Sequence, residues 1–150
     1  MTIIQSSNIN EVKNLIKRKE TSKPIIIRAQ SDIFNRKILE FGHFNILLGI
    51  EKGNKKRSIR QIDSGFNEIL AKIATKNKIA LGIDLDEIRK MNKKEKAIYL
   101  EKAEQNIKIA RKYKTKIALL NMKDKKDASS FLFSFGASTK QTKQAIEQAF

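Results

Sequence analysis

Short runs rich in Ile and Leu recur along this chain, and each gives way to a longer stretch whose apolar residues fall three and four apart. That alternation restricts the fold more than any other feature. Parallel strands need a long crossover, usually a helix, whereas antiparallel strands close through a tight turn. The pattern therefore predicts an α/β domain with a parallel sheet of about six strands, over Thr2–Gln5, Pro24–Gln30, Asn45–Ile50, Lys78–Ile83, Lys116–Asn121 and Leu132–Ala137. No repeat, low-complexity tract or linker divides the chain, so residues 1–150 read as a single domain.

Helix signals fill the gaps. Asn8 or Asn10 can cap a helix carrying Ile9, Val12, Leu15 and Ile16 on one face, and Thr21–Lys23 breaks it before Pro24. Ser31 or Asp32 can cap the next, which carries Phe34, Ile38 and Leu39 and stops at Gly42. The clearest stripe, Phe66, Ile69, Leu70, Ile73 and Ala74, marks a helix from Phe66 to Asn77 with Lys72 and Lys76 outside it. Asn92 can begin a long helix to Tyr113, and Ser138 can cap a final one ending in Ala145, Ile146, Ala149 and Phe150.

Composition supports a folded core and a cationic surface. The chain is 40% hydrophobic with eight Phe, which argues against disorder although 32% of residues are charged. Lys and Arg number 32 against 16 Asp and Glu, a net charge of +16. Self-repulsion on that scale is relieved by an anionic partner, of which nucleic acid is the leading class and anionic lipid the second. The bland reading, a solvated lysine coat, stands beside it.

Placement refines the total. Loops after the strands of a parallel sheet share one end, and loops after the helices share the other. Lys52, Lys55, Lys56, Arg57 and Arg60 follow one strand, and Lys123, Lys125 and Lys126 follow another, so both runs are expected at one end. Lys76, Lys78, Arg111, Lys112, Lys114 and Lys116 belong to the opposite end. Phe34, Phe66, Phe131, Phe133 and Phe135 fall at core spacing, leaving Tyr99, Tyr113, Phe41 and Phe44 as candidates for stacking on bases. Contact with phosphates and shape is the expected mode.

Little in the sequence points to chemistry. With no Cys and one His, the chain has no disulfide framework, thiolate zinc site, Cys nucleophile or multi-histidine metal cluster. His43 follows a helix stop and reads as a capping or surface imidazole. Asp84 and Asp86 fall where α/β proteins do chemistry, so an Asp-based magnesium site is conceivable, but with Glu87 they equally describe an acidic first turn of a short helix. Gly49, Gly53 and Gly65 do not have the spacing of a phosphate-cradling loop. The N-terminal residues carry no long apolar core after a basic leader, and no run approaches the roughly 18 apolar residues that span a bilayer. A soluble, cytoplasmic protein without membrane contact is expected.

The stretch Ser64-Gly65-Phe66-Asn67-Glu68-Ile69-Leu70-Ala71-Lys72-Ile73-Ala74, followed by Asn77-Lys78-Ile79-Ala80-Leu81-Gly82, resembles the central signature of the archaeal and eukaryotic ribonuclease P protein of the p30 type. Lys112-Tyr113-Lys114 before a strand, Gly136 with Gln141-Thr142-Lys143-Gln144-Ala145, and upstream Ile25–Arg28, Arg36 and Gly42 resemble other parts of that family in order. The likeness covers residues 24–150 and is specific over 63–82. It implies a TIM-barrel-like, PHP-like fold and a supporting role in ribonuclease P, whose RNA removes the 5′ leader of precursor tRNA. It also implies ribonuclease P RNA, precursor tRNA and a Pop5-type protein as partners.

Family members usually carry additional strand-helix units, so an incomplete barrel is expected here. Where members tend to have Arg after the Ile79–Ile83 strand this chain has Asp84-Leu85-Asp86, and an Asp-x-Arg element appears only as Lys125-Lys126-Asp127. The family is similar in fold to PHP-type metal phosphoesterases, but the histidines such sites require are absent.

Arg28, Arg36, Arg60, Lys72, Lys76, Lys112, Lys114 and Lys126 are the positions expected to meet RNA phosphate, with Arg36 and Lys72 also matching the resemblance. No catalytic residue, cofactor or metal site is expected. The alternatives are a general basic nucleic-acid-binding domain and a degenerate metal phosphoesterase using Asp84.

Overall fold

The structure, a computed structural model, describes residues 2–18, 24–52 and 63–149. Its elements are β1 (Thr2–Ile4), α1 (Ile9–Arg18), β2 (Ile25–Arg28), α2 (Asp32–Phe41), β3 (Ile46–Leu48), a 3-10 turn at Ile50–Lys52, α3 (Glu68–Lys76), β4 (Ala80–Asp84), α4 (Leu85–Lys90), α5 (Lys93–Tyr113), β5 (Ile117–Leu120), α6 (Lys125–Ser134) and α7 (Thr139–Glu147). The five strands form one sheet in sequential order, every neighbouring pair parallel. The expected strand-helix alternation is thus present, and helices span each return.

Helix starts follow the capping residues. Asn8, Ser31, Asn67, Asp84, Asn92, Asp124 and Ser138 each accept a hydrogen bond from a backbone N–H of the first turn, satisfying donors that have no partner inside the helix. Ser138 and Gln141 reciprocate in a capping box. The break expected at Thr21–Lys23 lies outside the described residues.

One face of the sheet packs against helices. Ile27, Leu47, Leu81, Ile83, Ile117 and Leu119 join Val12, Ile38, Leu70, Ala103 and Ile107 in the main core. Burying each such aliphatic side chain contributes about 1.5–3 kcal/mol. The other face carries Ile26, Ile46, Leu48, Ala80, Ala118 and Leu120, a separate cluster of strand residues. Here large side chains on β3 lean over small positions on β4: a Cβ at Gly82 would stand 2.6 Å from Ile46 Cγ2 and 3.1 Å from Leu48 Cδ1.

The expected sixth strand at Leu132–Ala137 is not a strand. Residues 132–134 complete α6, and Gly136 turns the chain at φ 92° before α7. The run Phe131-Leu132-Phe133-Ser134-Phe135 reads as alternation, but the contacts have period four. Ala128 and Leu132 are buried one turn apart, and Phe131 and Phe135 pack ring to ring at 4.9 Å. Asp124 caps the segment, accepting from the Lys126 and Asp127 N–H groups, which favours the helix. The helix α7 then packs on β5, where Gln144 Oε1 accepts from the Ile117 N–H at 3.3 Å, a backbone donor of the edge strand.

Candidate functional site

Two helix ends are lashed together where α3 and α5 turn back into the sheet. The Thr75 and Thr115 hydroxyls stand 2.9 Å apart, with the Tyr113 carbonyl 3.1 Å from Thr75 Oγ1 and the Ala71 carbonyl 3.3 Å from Thr115 Oγ1, so two hydroxyl protons are shared among three short contacts. Thr115 is buried, so these bonds form away from bulk water. They bring Lys76 and Lys78 to the same end of the sheet as Arg111, Lys112, Lys114 and Lys116, all exposed.

Lys78 and Lys114 also share an unusual backbone. Each occupies the left-handed region, at φ 58° and 60°, where glycine is the easier residue, and His43 does the same at φ 62° in the turn between α2 and β3. Ile79, Thr115 and Phe44, which follow them, are buried. At three successive helix-to-strand turns the chain thus presents a basic side chain or imidazole outward while anchoring the next residue.

Tyr113 is the centre of this surface. Lys72 Nζ lies 5.6 Å and Lys112 Nζ 5.4 Å from its ring centroid, so two ammonium groups share one aromatic ring. Glu68, one turn before Lys72, bonds Lys72 Nζ through Oε1 at 2.8 Å. The hydrogen bond from Lys72, then that from the Tyr113 hydroxyl, hold the Glu68 carboxyl below its ordinary value, with Lys112 adding a further cationic field.

At the opposite end, where the strands finish, several of the described charges are paired. Glu87 on α4 joins Arg28 Nη2 at 2.7 Å and Lys52 Nζ at 2.6 Å, tying α4 to β2 and to the turn after β3. Burial pushes the Glu87 carboxyl up, but the bonds from Arg28 and Lys52 outweigh it and the net shift is downward. Asp84 Oδ1 accepts from the Asp86 N–H at 3.0 Å and from Asn121 Nδ2 at 2.8 Å. Arg89 pairs with Asp86 at 2.6 Å and reaches the Asn121 carbonyl at 3.2 Å. Asp84 thus caps α4, so Asp84, Asp86 and Glu87 make the acidic helix start and not a metal cluster. No three His, Cys, Asp or Glu side chains among the described residues gather to hold a metal ion.

A buried polar network escaped the sequence reading. Asn106 Nδ2 on α5 donates to Glu51 Oε1 at 3.0 Å and to the Ser64 carbonyl at 3.4 Å, and the Tyr99 hydroxyl faces Glu51 Oε2 at 3.5 Å. Glu51 is 3% exposed, and burial raises its carboxyl above the ordinary range against the opposing bond from Asn106. Residues 51 and 64 are pinned to one side chain, beside Gly65, where a Cβ would stand 2.8 Å from the Ile50 carbonyl oxygen and φ is 80°. Tyr99 and Asn106, seven apart on the buried stripe of α5, were the available signal; Glu51 after a strand gave none.

No family model matches the chain. Curated relatives do. Two proteins of Methanococcus maripaludis named Ribonuclease P protein component 3 are 26% identical over 117 residues, 77% of this chain and 47% of theirs. A namesake from Methanococcus vannielii is 24% identical over the same share of this chain. The chain is similar to ribonuclease P protein component 3. It spans about half the length of these relatives. Its fold matches a chain in the cryo-EM structure of archaeal ribonuclease P with mature tRNA, at a TM-score of 0.80 and 21% identity, over 97% of this chain and 63% of that one.

The ribonuclease P-like signature read at 64–82 runs from the Glu51–Asn106–Ser64 network through α3 into β4. Of the expected phosphate contacts, the structure brings Lys72 and Lys112 onto one ring and sets Lys76 and Lys114 at the same end. Arg36 is exposed on α2 and paired with Glu40 at 3.1 Å. Lys126 is exposed in the first turn of α6, at the far end of the sheet. Arg28 is committed to Glu87, its side chain 19% exposed. Arg60 lies outside the described residues, as do Lys55, Lys56 and Arg57.

Among the stacking candidates Tyr99 and Phe44 are core residues, at 6% and 5% exposure, whereas Phe133, assigned to the core by spacing, is half exposed. Exposed His43 packs edge-on against Phe41. Among the described residues no helix is long and apolar enough to cross a membrane.

Proposed function

We propose that this chain is a non-catalytic, RNA-binding protein subunit of a ribonuclease P, supporting the catalytic RNA as it removes the 5′ leader from precursor tRNA. The observation that carries the reading is the 26% identity with ribonuclease P protein component 3 across 77% of the chain. The helix-end surface supplies the physical means. Lys72, Lys76, Lys112 and Lys114 form its centre, with Arg36 and Lys126 as outlying contacts, and each lowers RNA backbone repulsion and releases counterions on binding.

The same reading makes residues 1–150 one TIM-barrel-like, PHP-like domain. Sequential strand order with every pair parallel supports that description, since each strand of such a barrel pairs with the next in sequence. Its partners are ribonuclease P RNA, precursor tRNA and a Pop5-type protein, in the cytoplasm. Bond cleavage belongs to RNA and magnesium.

Reconstitution tests it. An archaeal ribonuclease P RNA and precursor tRNA, with a Pop5-type protein, are assayed with and without this chain, and its addition is expected to raise leader cleavage at limiting magnesium. Cleavage by the isolated chain, or no change on adding it, overturns the proposal. Filter binding with duplex DNA as competitor addresses a general nucleic-acid binder: a subunit of this kind keeps its RNA bound, whereas a general binder is displaced.

A further inference from the structure

The Lys72–Tyr113–Lys112 surface already holds an anion. Glu68 Oε1 sits 2.8 Å from Lys72 Nζ, which lies 5.6 Å from the Tyr113 ring centroid, with Lys112 Nζ 5.4 Å from the same ring. Two ammonium groups gathered at one ring, one of them already holding a carboxylate, are donors that a phosphate group also seeks. Glu68 and Lys72 are both well exposed, at 57% and 63% of their side chains, so an incoming phosphate reaches the same donors.

We propose that Glu68 is an internal competitor for RNA phosphate at this cradle, lowering affinity so that only RNA making several simultaneous contacts displaces it. The proposal rests on the RNA-binding reading above and assigns that surface its regulation. Binding requires the Glu68 carboxylate to swing away from Lys72 while a phosphate oxygen takes its place. Part of the electrostatic gain is therefore exchanged, not created, at this point. A single weak contact does not repay that exchange, and a polyanion anchored also at Lys76 and Lys114 does. Fewer counterions are released than two bare lysines would give, because Glu68 already neutralises one of them.

The other exposed helix pairs lack this arrangement. Lys143 and Glu147 stand 4.0 Å apart on α7, and Lys108 and Glu104 2.9 Å apart on α5, and among the described residues no aromatic ring lies beneath either lysine. Glu147→Gln therefore changes the net charge as Glu68→Gln does, at a pair that does not share the Tyr113 ring.

The test measures affinity of the full chain for the archaeal ribonuclease P RNA between about 50 and 200 mM salt, a range over which phosphate contacts dominate the response. Glu68→Gln is expected to bind about three- to fivefold more tightly at the low end and to steepen the salt slope by roughly 0.7–0.9 units, one phosphate contact's worth. Glu147→Gln is expected to change affinity less than twofold. Circular dichroism melts accompany each variant, and exposed Glu68 leaves folding intact.

If Glu68→Gln merely equals Glu147→Gln, the effect is net charge and the competitor role is overturned. Lys72→Gln with Lys112→Gln distinguishes the two levels of the reading. When that pair weakens binding and Glu68→Gln does nothing special, the interface stands and only the competitor falls. When the pair leaves affinity and slope unchanged, the interface falls and takes the competitor with it.

Discussion

Replacing Lys78 and Lys114 together with glycine should make the protein more stable and worse at binding RNA. Both lysines hold left-handed backbone at φ 58° and 60°. A side chain there costs about 1–2 kcal/mol, and glycine removes that cost while adding roughly 0.5–1 kcal/mol of backbone freedom to the unfolded chain. From the middle of each range the net gain is about 0.75 kcal/mol per site, or about 1.5 kcal/mol for the pair. At roughly 2–4 °C per kcal/mol for a domain of this size, the melting temperature rises by about 3–6 °C. The lost Lys114 contact meanwhile flattens the RNA salt slope by about 0.7–0.9 units. Lys116→Gly is the control: it lies just before β5, where its carbonyl accepts from Leu81, and has no positive φ to relieve, so it should destabilise by about 0.5–1 kcal/mol. Calorimetry and filter binding on the same preparations decide it. A double variant that melts no higher than the parent, or that keeps affinity and slope, refutes the reasoning.

Three further outcomes follow from contacts described above. Glu87→Gln leaves Arg28 and Lys52 facing each other across a partly buried site and should cost about 1–3 kcal/mol by urea titration, between the values of exposed and fully buried pairs. Because Glu87 is held below its ordinary value of 4.5, its contribution is present above that pH and lost as pH falls through the lowered folded value, so the variant's stability should change less than the parent's under acid. Gly82→Ala drives a methyl to within 2.6 Å of Ile46 Cγ2 and should cost about 1–3 kcal/mol, with unchanged stability refuting the close packing. Leu132→Ala should cost about 2–5 kcal/mol while Phe133→Ser stays within about 0.5 kcal/mol, and a reversed ranking would restore the strand reading of this segment.

How far the sequence disclosed this structure varied with the kind of signal. Capping residues were the most legible, because Ser31, Asn67, Asn92 and Ser138 act over three residues and need no tertiary partner. Strand cores such as Ile46–Leu48 were legible for the opposite reason: buried on both faces, they are apolar without interruption. The segment 131–135 failed because alternating Phe satisfies period two and period four at once, and Asp124, which favours the helix, lies outside the apolar run. The charged surface was legible by end of the sheet but not by pairing. Nothing in the spacing distinguished Arg28, drawn to Glu87 across 59 positions, from Lys112, which has Tyr113 beside it. Glu51 was invisible because long-range burial alone makes it unusual.

Parallel architecture itself separates charge. Every helix that returns the chain between parallel strands points the same way, and acids in a first turn or bases in a last turn steady it, although α2 has no base in its last turn. Glu11, Asp32, Glu68, Asp86 and Glu95 stand in first turns, and Lys17, Arg18, Lys76, Arg111 and Lys112 in last turns. Selection for stability alone therefore draws a cationic end onto such a domain, and last-turn lysines by themselves are weak testimony for RNA. Lys78 and Lys114 escape that explanation. They lie past the last turns, in backbone where glycine would be the more stable choice. A backbone outlier of this kind is a place to look for a working side chain. For these two lysines the side chain offers an exposed ammonium group aimed outward from the end of the sheet that Tyr113 and Lys112 also occupy.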